Sequence, residues 1–186
     1  SREVAQAALA LSYATRPVVR YAVARIEALG AGAFEGVGVV ISAVDSFKAR
    51  AWLADMTRQF GIPMIELGFS TSQGRVSVFP NGAADELCWQ CLNPSRDHTG
   101  ISCATFARRV AAKQLIPATQ PLAATFGAIA SEAAIQALHG NTPLAGKLFD
   151  LDIRSGAART IEITTAPRCP GVHRILGDVH PLDVPV

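Results

Sequence analysis

Short apolar runs and amphipathic stretches alternate along the first half of the chain. Residues 37–44 read VGVVISAV, an uninterrupted apolar run that is typical of a parallel strand buried on both faces. Residues 46–61 have the spacing of an amphipathic helix, with Ser46 placed to cap its start and Gly61 to end it. Two further strands are predicted in IPMIELGF and GRVSVF, on either side of the turn-forming STSQG. Strand, helix and strand in this order indicate a parallel sheet of the doubly wound type.

The N-terminal stretch contains two predicted elements of its own. Residues 1–15 have helical periodicity, and a proline soon after them ends the helix. The apolar face of this helix comprises Val4, Ala8 and Leu11. Residues 18–26 read VVRYAVARI and alternate apolar with polar positions, as a strand does. The chain opens on a helix, as though an earlier strand of the doubly wound pattern were missing.

The second half is predicted to contain a loop, two helices and a hairpin before an irregular tail. The loop is rich in Asn, Gly, Asp and Pro and carries the motif CWQC, and the hairpin turns at RSGA. These elements are the loop 80–100, helices 103–115 and 121–139, strands 146–153 and 158–165, and the tail from residue 167 onward. The fold class expected from the whole pattern is α/β, a doubly wound sheet with an antiparallel extension.

Composition narrows the class of protein further. The 186 residues suffice for one domain with a substantial core, and 49% of them are hydrophobic. A net charge of +2 indicates neither a nucleic-acid partner nor a membrane surface. The most apolar stretch, residues 121–140, is interrupted by Ser131, Glu132 and Gln136, which favours a buried helix over a membrane span. Four cysteines and no secretory signal predict a cytoplasmic protein.

The CWQC motif predicts half of a structural zinc site. Cys88 and Cys91 supply two thiolates, and RCPGVH in the tail adds Cys169 and His173, which completes a tetrahedral Cys3His set. A closed shell of four ligands leaves no position for chemistry, so this zinc would pin the tail to the mid-chain loop. His180 competes with His173 as the fourth ligand, and His98 does so more weakly. In the alternative interpretation, the two CWQC thiols are small buried hydrophobic groups.

Two residues near the predicted carboxyl edge of the sheet are candidates for phosphate chemistry. Asp45 follows a buried strand directly, where a carboxylate could hold a magnesium ion on nucleotide phosphates or could cap the next helix. Arg50 lies one helical turn further on, where it could face phosphate or pair with Asp45 or Glu66.

Cys103 is the cysteine that zinc would not use. It lies at a predicted helix N-terminus, where the helix dipole favours a thiolate nucleophile, although a lone cysteine is more often inert. No glycine-rich phosphate loop is recognised, because GAGAFEG lacks the strand-to-helix context that such a loop requires.

Taken in order, several of these stretches resemble the ThiF/MoeB family, the bacterial relatives of ubiquitin-activating enzymes. The resemblance covers about residues 1–173 and is carried by AVDSFKAR, GIPMIELGF, GRVSVFP, CWQCLNP, FGAIASEAAIQALHG, LFDLD and RCPGVH. The family resemblance implies a Rossmann-like fold with a zinc knuckle. It also implies a function: ATP-dependent adenylation of the C-terminus of a ubiquitin-like protein or peptide, in a homodimer.

The resemblance also assigns roles to single residues. Asp45 matches the aspartate that coordinates magnesium and the nucleotide phosphates, and Arg50 matches an arginine often found in the same helix. Cys103 matches the cysteine that some members use as an acceptor thiol. The family's structural zinc ligands fall on Cys88, Cys91 and Cys169, with His173 in place of the usual last cysteine.

The front of the family's domain has no counterpart in this chain. The glycine-rich nucleotide turn, the acidic residue for the ribose and the arginine and lysine for the phosphates would all precede Ser1, and Arg2 would fall near the lysine. We therefore expect residues 1–173 to be the C-terminal portion of an adenylation domain, followed by an irregular tail, 174–186. The chain is a fragment of a longer enzyme, or part of its ATP site comes from elsewhere, or the site has been lost. The alternative function is a non-catalytic module that binds a peptide or a partner subunit.

Overall fold

The computed structural model describes residues 2–12, 18–81, 87–92 and 119–165. The chain divides into two compact units, Ser1–Gly30 and Ala31–Val186, which are described one at a time. Several predicted elements and site residues lie outside the described residues: the helix 103–115, the tail from residue 167, Cys103, Cys169, His173, His98 and His180.

The first unit confirms the predicted N-terminal helix but not the strand after it. Helix α1 spans Arg2–Ala10, yet Val4 and Leu11 of its predicted apolar face are exposed. The strand prediction for residues 18–26 is wrong, because residues 18–25 are irregular and Ile26–Leu29 forms a short 3-10 helix. Alternation alone does not make a strand, since its backbone N–H and C=O groups need a neighbouring strand, and no described residue pairs with this segment.

The second unit is built on a five-stranded sheet in the order β1-β2-β3-β4-β5. The strands are β1 Val40–Ser42, β2 Met64–Phe69, β3 Gln73–Phe79, β4 Lys147–Asp152 and β5 Ala157–Glu162. The first pair is parallel and the other three pairs are antiparallel. This mixed α/β sheet confirms the parallel start and the antiparallel extension and is consistent with a Rossmann-like fold.

Helix α2, Phe47–Gln59, crosses from β1 to β2 as predicted. The hydroxyl of Ser46 accepts a hydrogen bond from the backbone N–H of Ala49 at 3.1 Å, so the predicted cap is formed. The helix ends where Gly61 adopts φ +63°, a left-handed conformation that favours glycine. This connection brings the start of α2 beside the carboxyl ends of the two parallel strands.

The opposite face of the sheet is covered by helix α4, Gln120–Leu138, which matches the predicted helix 121–139. The core between them is apolar and consists of Ile65, Leu67, Val76 and Val78 from the strands with Leu122, Phe126, Ala130 and Ala134 from the helix. Phe126 lies so close to β3 that a Cβ on Gly74 would stand 2.0 Å from its ring. The ring therefore requires glycine at that position.

Strand β1 is shorter and less buried than the apolar run 37–44 predicts. Only Val40–Ser42 are paired, and Ile41 is 42% exposed. Among the described residues β1 has a partner on one side alone, so it is an edge strand here and its outer face is less covered than in a central strand.

The remaining elements are short. The last three residues of the CWQC motif lie in a single helical turn, α3 at Trp89–Leu92, rather than in the predicted loop, and Cys88 directly precedes that turn. The β4–β5 hairpin forms as predicted, and the backbone N–H of Arg154 in its turn donates to Asp152 and lowers the pKa of that carboxyl. In the part of the chain that the structure describes, no helix combines the length and hydrophobicity needed to cross a bilayer.

Candidate functional site

Asp45 lies where the sequence predicts, between the end of β1 and the cap of α2. Its side chain is exposed. Strands β1 and β2 are parallel, with Ser42 opposite Glu66, so their carboxyl ends open at one edge of the sheet. Helix α2 begins directly after this edge, and the dipole at its N-terminus favours negative charge. A carboxylate and a helix N-terminus at one edge can together hold a hard cation and the phosphates it neutralises.

Arg50 is held by β2. Its Nη1 donates to the carboxylate of Glu66 and, at 2.9 Å, to the carbonyl oxygen of Leu67. Of the three partners that the sequence left open for Arg50, the structure therefore provides Glu66. The side chain of Arg50 is 13% exposed, and its role towards a nucleotide stays a prediction.

Glu66, which the sequence offered only as a partner for Arg50, is the centre of a buried polar row. Its carboxylate is fully buried, and Nη2 of Arg75 stands 3.7 Å from the same oxygen that Arg50 binds. Register places the hydroxyls of Ser42 and Ser77 on either side. Those hydroxyls and the second oxygen of Glu66 have no hydrogen-bond partner among the described residues. A glutamate inside the apolar run IPMIELGF was the available signal, because burying a carboxylate is costly unless it is paired.

The two CWQC thiols have the separation that a shared metal requires. Sγ of Cys88 and Sγ of Cys91 are 3.8 Å apart, and both residues are buried. Zn–S bonds of about 2.3 Å at a tetrahedral angle place two sulfurs about 3.8 Å apart, whereas a disulfide would bring them to about 2.05 Å. Within the described ranges no three metal-ligating side chains come together, and the other two predicted ligands lie outside those ranges.

The segment GAGAFEG does not form a phosphate loop. Ala31–Phe34 is a 3-10 helix, and within the described residues no strand leads into it. The segment therefore lacks the strand-to-helix context that a phosphate loop requires.

Comparison with known proteins identifies the family. A sequence model of the ThiF family matches residues 2–171, nearly the whole chain. The chain belongs to the ThiF family. No curated protein matches it.

Solved structures of MccB share the fold of this ThiF-family chain. Microcin C7 biosynthetic enzyme MccB in complex with N-formylated MccA superposes with a TM-score of 0.55 at 16% identity, over 74% of this chain and 41% of that one. E. coli MccB with MccA-N7isoASN gives 0.55 at 15% identity, with the same two coverages. E. coli MccB with ATP gives 0.53 at 15% identity, over 74% of this chain and 39% of that one. The chain thus spans about two fifths of the length of each.

Proposed function

We propose that the chain is part of an ATP-dependent adenylyltransferase that activates the C-terminus of a ubiquitin-like protein or a peptide. The observation that carries this proposal is the position of Asp45, an exposed carboxylate at the carboxyl edge of a parallel strand pair and directly before a helix N-terminus. Structures of MccB with ATP and with N-formylated MccA support a nucleotide and a peptide as ligands of this fold. The proposal concerns a complete enzyme of which this chain supplies one part.

The proposed reaction is an in-line displacement. Bound MgATP would supply an electrophilic α-phosphorus and the pyrophosphate leaving group. An oxygen of the substrate carboxylate attacks that phosphorus, and the bond to pyrophosphate breaks. Asp45 would hold the cation, whose oxygen preference the carboxylate matches. The N-terminus of α2 would stabilise the phosphate charge at the same edge. Such catalysis rests on positioning and charge neutralisation.

A second step would use Cys103. Its thiolate would attack the acyl carbonyl of the adenylate, form a thioester and release AMP. This role rests on the position that Cys103 shares with the acceptor cysteine of some family members.

Pyrophosphate–ATP exchange in the presence of candidate C-terminal peptides tests the adenylation. Asp45→Ala should lower exchange by about 100-fold or more, since one group that stabilises transition-state charge contributes on that scale. Arg154→Ala, in the exposed hairpin turn, is the control and should exchange as the wild type does. Cys103→Ser should keep exchange and lose the acyl adduct seen by intact mass. Full exchange by Asp45→Ala would disprove the role of Asp45.

A non-catalytic binding module is the second candidate. Its support is the 3-10 helix that GAGAFEG forms in place of a phosphate loop. For such a module, the Asp45→Ala variant would bind the peptide as tightly as the wild type does. The wild type would show no pyrophosphate–ATP exchange with that peptide.

A structural zinc ion belongs to the proposal as well. Cys88 and Cys91 would bind it together with Cys169 and His173. The support is the 3.8 Å separation of the first two thiols. Thiolate ligands persist in a reducing compartment, which agrees with the predicted cytoplasmic location.

The proposed assembly is a homodimer formed through α4. Ile135 and Leu138 on its outer side are 51% and 59% exposed. Beside this helix lies an apolar cavity of 330 Å³ lined in part by Ile129, Pro143 and Leu144. A second copy would bury these apolar side chains.

A further inference from the structure

Two glycines stand within the β2–β3 hairpin, and packing explains only one of them. At Gly74 the ring of Phe126 occupies the space that a side chain would need. At Gly68 an added Cβ would make only ordinary contacts of 3.5–3.6 Å. Gly68 also pairs regularly with Arg75, so there is no bulge at this point. A glycine inside a strand weakens it, and a strand glycine that neither a bulge nor packing requires is often a place where a ligand or another backbone approaches closely.

The atoms around Gly68 belong to three charged side chains. A Cβ there would touch Nε of Arg75, Oε1 of Glu66 and Nη1 of Arg50. Arg50 binds Glu66 directly and so neutralises it. Arg75 stands 3.7 Å from the same carboxylate oxygen, beyond hydrogen-bond distance, and donates no hydrogen bond to any residue that the structure describes. Arg75 is thus the cation in excess, and its side chain is 29% exposed.

The next strand does not remove this excess. Asp150 of β4 stands opposite Arg75 in the register. Its carboxylate, however, accepts a hydrogen bond from Nε of Arg159 on the far side, at 2.8 Å. Together these side chains carry three positive charges, on Arg50, Arg75 and Arg159, and two negative charges, on Glu66 and Asp150, so one positive charge remains.

We propose that the Gly68–Arg75 patch, formed by these two residues above the Arg50–Glu66 pair, binds a carboxylate of an extended peptide. The guanidinium of Arg75 offers a planar fork that matches a carboxylate. Gly68 lets the peptide backbone approach the sheet, and Arg50 shields the approaching carboxylate from the charge of Glu66. The inference rests on the proposed function, because the peptide that this patch holds would be the substrate to be adenylated.

The carboxylate could come from the C-terminus of the peptide or from an Asp or Glu side chain. Binding of the full chain to an array of N-terminally immobilised random dodecapeptides, without ATP, separates these sources. Each peptide is made as the C-terminal acid and as the C-terminal amide, with and without internal Asp or Glu. A preference for acids over amides identifies the terminus, and a preference for internal acidic residues among the amides identifies the side chain.

Arg75→Gln should lower the preference for carboxylate by about tenfold, the effect of losing one charge-assisted hydrogen bond. Gly68→Ala should lower peptide binding several-fold with every charge in place, because its Cβ would occupy the approach. Arg154→Gln, which removes an exposed cation from the turn between β4 and β5 and leaves the Asp150–Arg159 pair intact, is the control and should keep the full preference. Thermal unfolding verifies that the variants are folded.

Equal preferences in Arg75→Gln and Arg154→Gln, or no carboxylate preference in the wild type, would overturn the inference. Failure of the proposed function gives a different result. In that case the peptides that bind best on the array would support no pyrophosphate exchange, while their binding would still depend on Arg75.

Discussion

Glu66 shows how one residue decides the electrostatics of the candidate site. A carboxylate without solvent contact is tolerated only with an opposite charge close by. Arg50 from α2 provides that charge, and Arg75 from β3 adds a second, looser one. The pair thus connects the helix that follows Asp45 to the strand that carries Gly68.

Replacing Glu66 should therefore be far more costly than replacing a surface acid. Glu66→Gln leaves two arginines beside a neutral side chain, and breaking a buried pair lowers the free energy of unfolding by about 3–5 kcal/mol. Asp150→Asn, which breaks the more exposed pair with Arg159, should lower it by about 1 kcal/mol or less. Urea denaturation of both variants measures the difference. Equal losses of unfolding free energy in the two variants would mean that the buried pair of Arg50 and Glu66 contributes no more to stability than the exposed one.

At the scale of elements, the contact between α4 and the sheet holds the second unit together. The helix lays one apolar stripe across strands β2 and β3. The tightest point of that contact is Phe126 against the backbone of β3 at Gly74. Since the ring fills the place of a side chain, the helix cannot move closer or accept a larger residue there.

Gly74→Ala should lower the free energy of unfolding by about 1–3 kcal/mol, the usual effect of overpacking a core. Gly127→Ala is the matched control, because nothing lies within 4 Å of the added Cβ and alanine is the better helix former. It should stabilise the protein by up to about 1 kcal/mol. Phe126→Leu in the Gly74→Ala background should recover part of the loss. Calorimetry or urea denaturation gives all three values, and an unchanged Gly74→Ala would contradict this packing.

At the scale of the whole molecule, the proposed zinc would join segments that are far apart in sequence. Cys91 lies in α3 and Cys88 directly before it, and Cys169 and His173 come after β5 in the sequence. A cross-link over such a distance constrains the unfolded chain, and the binding free energy of the metal becomes folding free energy. The ion would therefore act on stability rather than on the reaction.

Native mass spectrometry should detect one zinc per subunit and two subunits per particle. Cys88→Ser should lose the metal and lower Tm by roughly 10 °C or more. Losing the metal removes several kcal/mol of folding free energy, and in a chain of this size each kcal/mol shifts Tm by about 2–4 °C. Cys103→Ser should retain the metal. Zinc bound by Cys88→Ser would rule out this ligand set, and a monomer mass would argue against the dimer.

Local patterns determined much of the fold in advance. The cap at Ser46, the end of α2 at Gly61 and the alternation in the two hairpins depend on contacts within a few residues, so they can be predicted without the rest of the chain. The order of the elements likewise predicted Asp45 at the carboxyl edge of the sheet. The strand expected at residues 18–26 failed for the converse reason, because a strand requires a partner that a local pattern does not supply.

The tertiary structure alone decided which residues meet. Three partners were open to Arg50 in the sequence, and the pairing of β1 with β2 brought it to Glu66. The antiparallel register then placed Arg75 opposite Gly68 and left its charge in excess. The packing of α4 also decides that a ring occupies the side-chain space of Gly74 and not that of Gly68. The balance of charge around Arg75 and the contact of Phe126 with Gly74 depend on distances between segments that are remote in sequence. The periodicity of the sequence does not determine those distances.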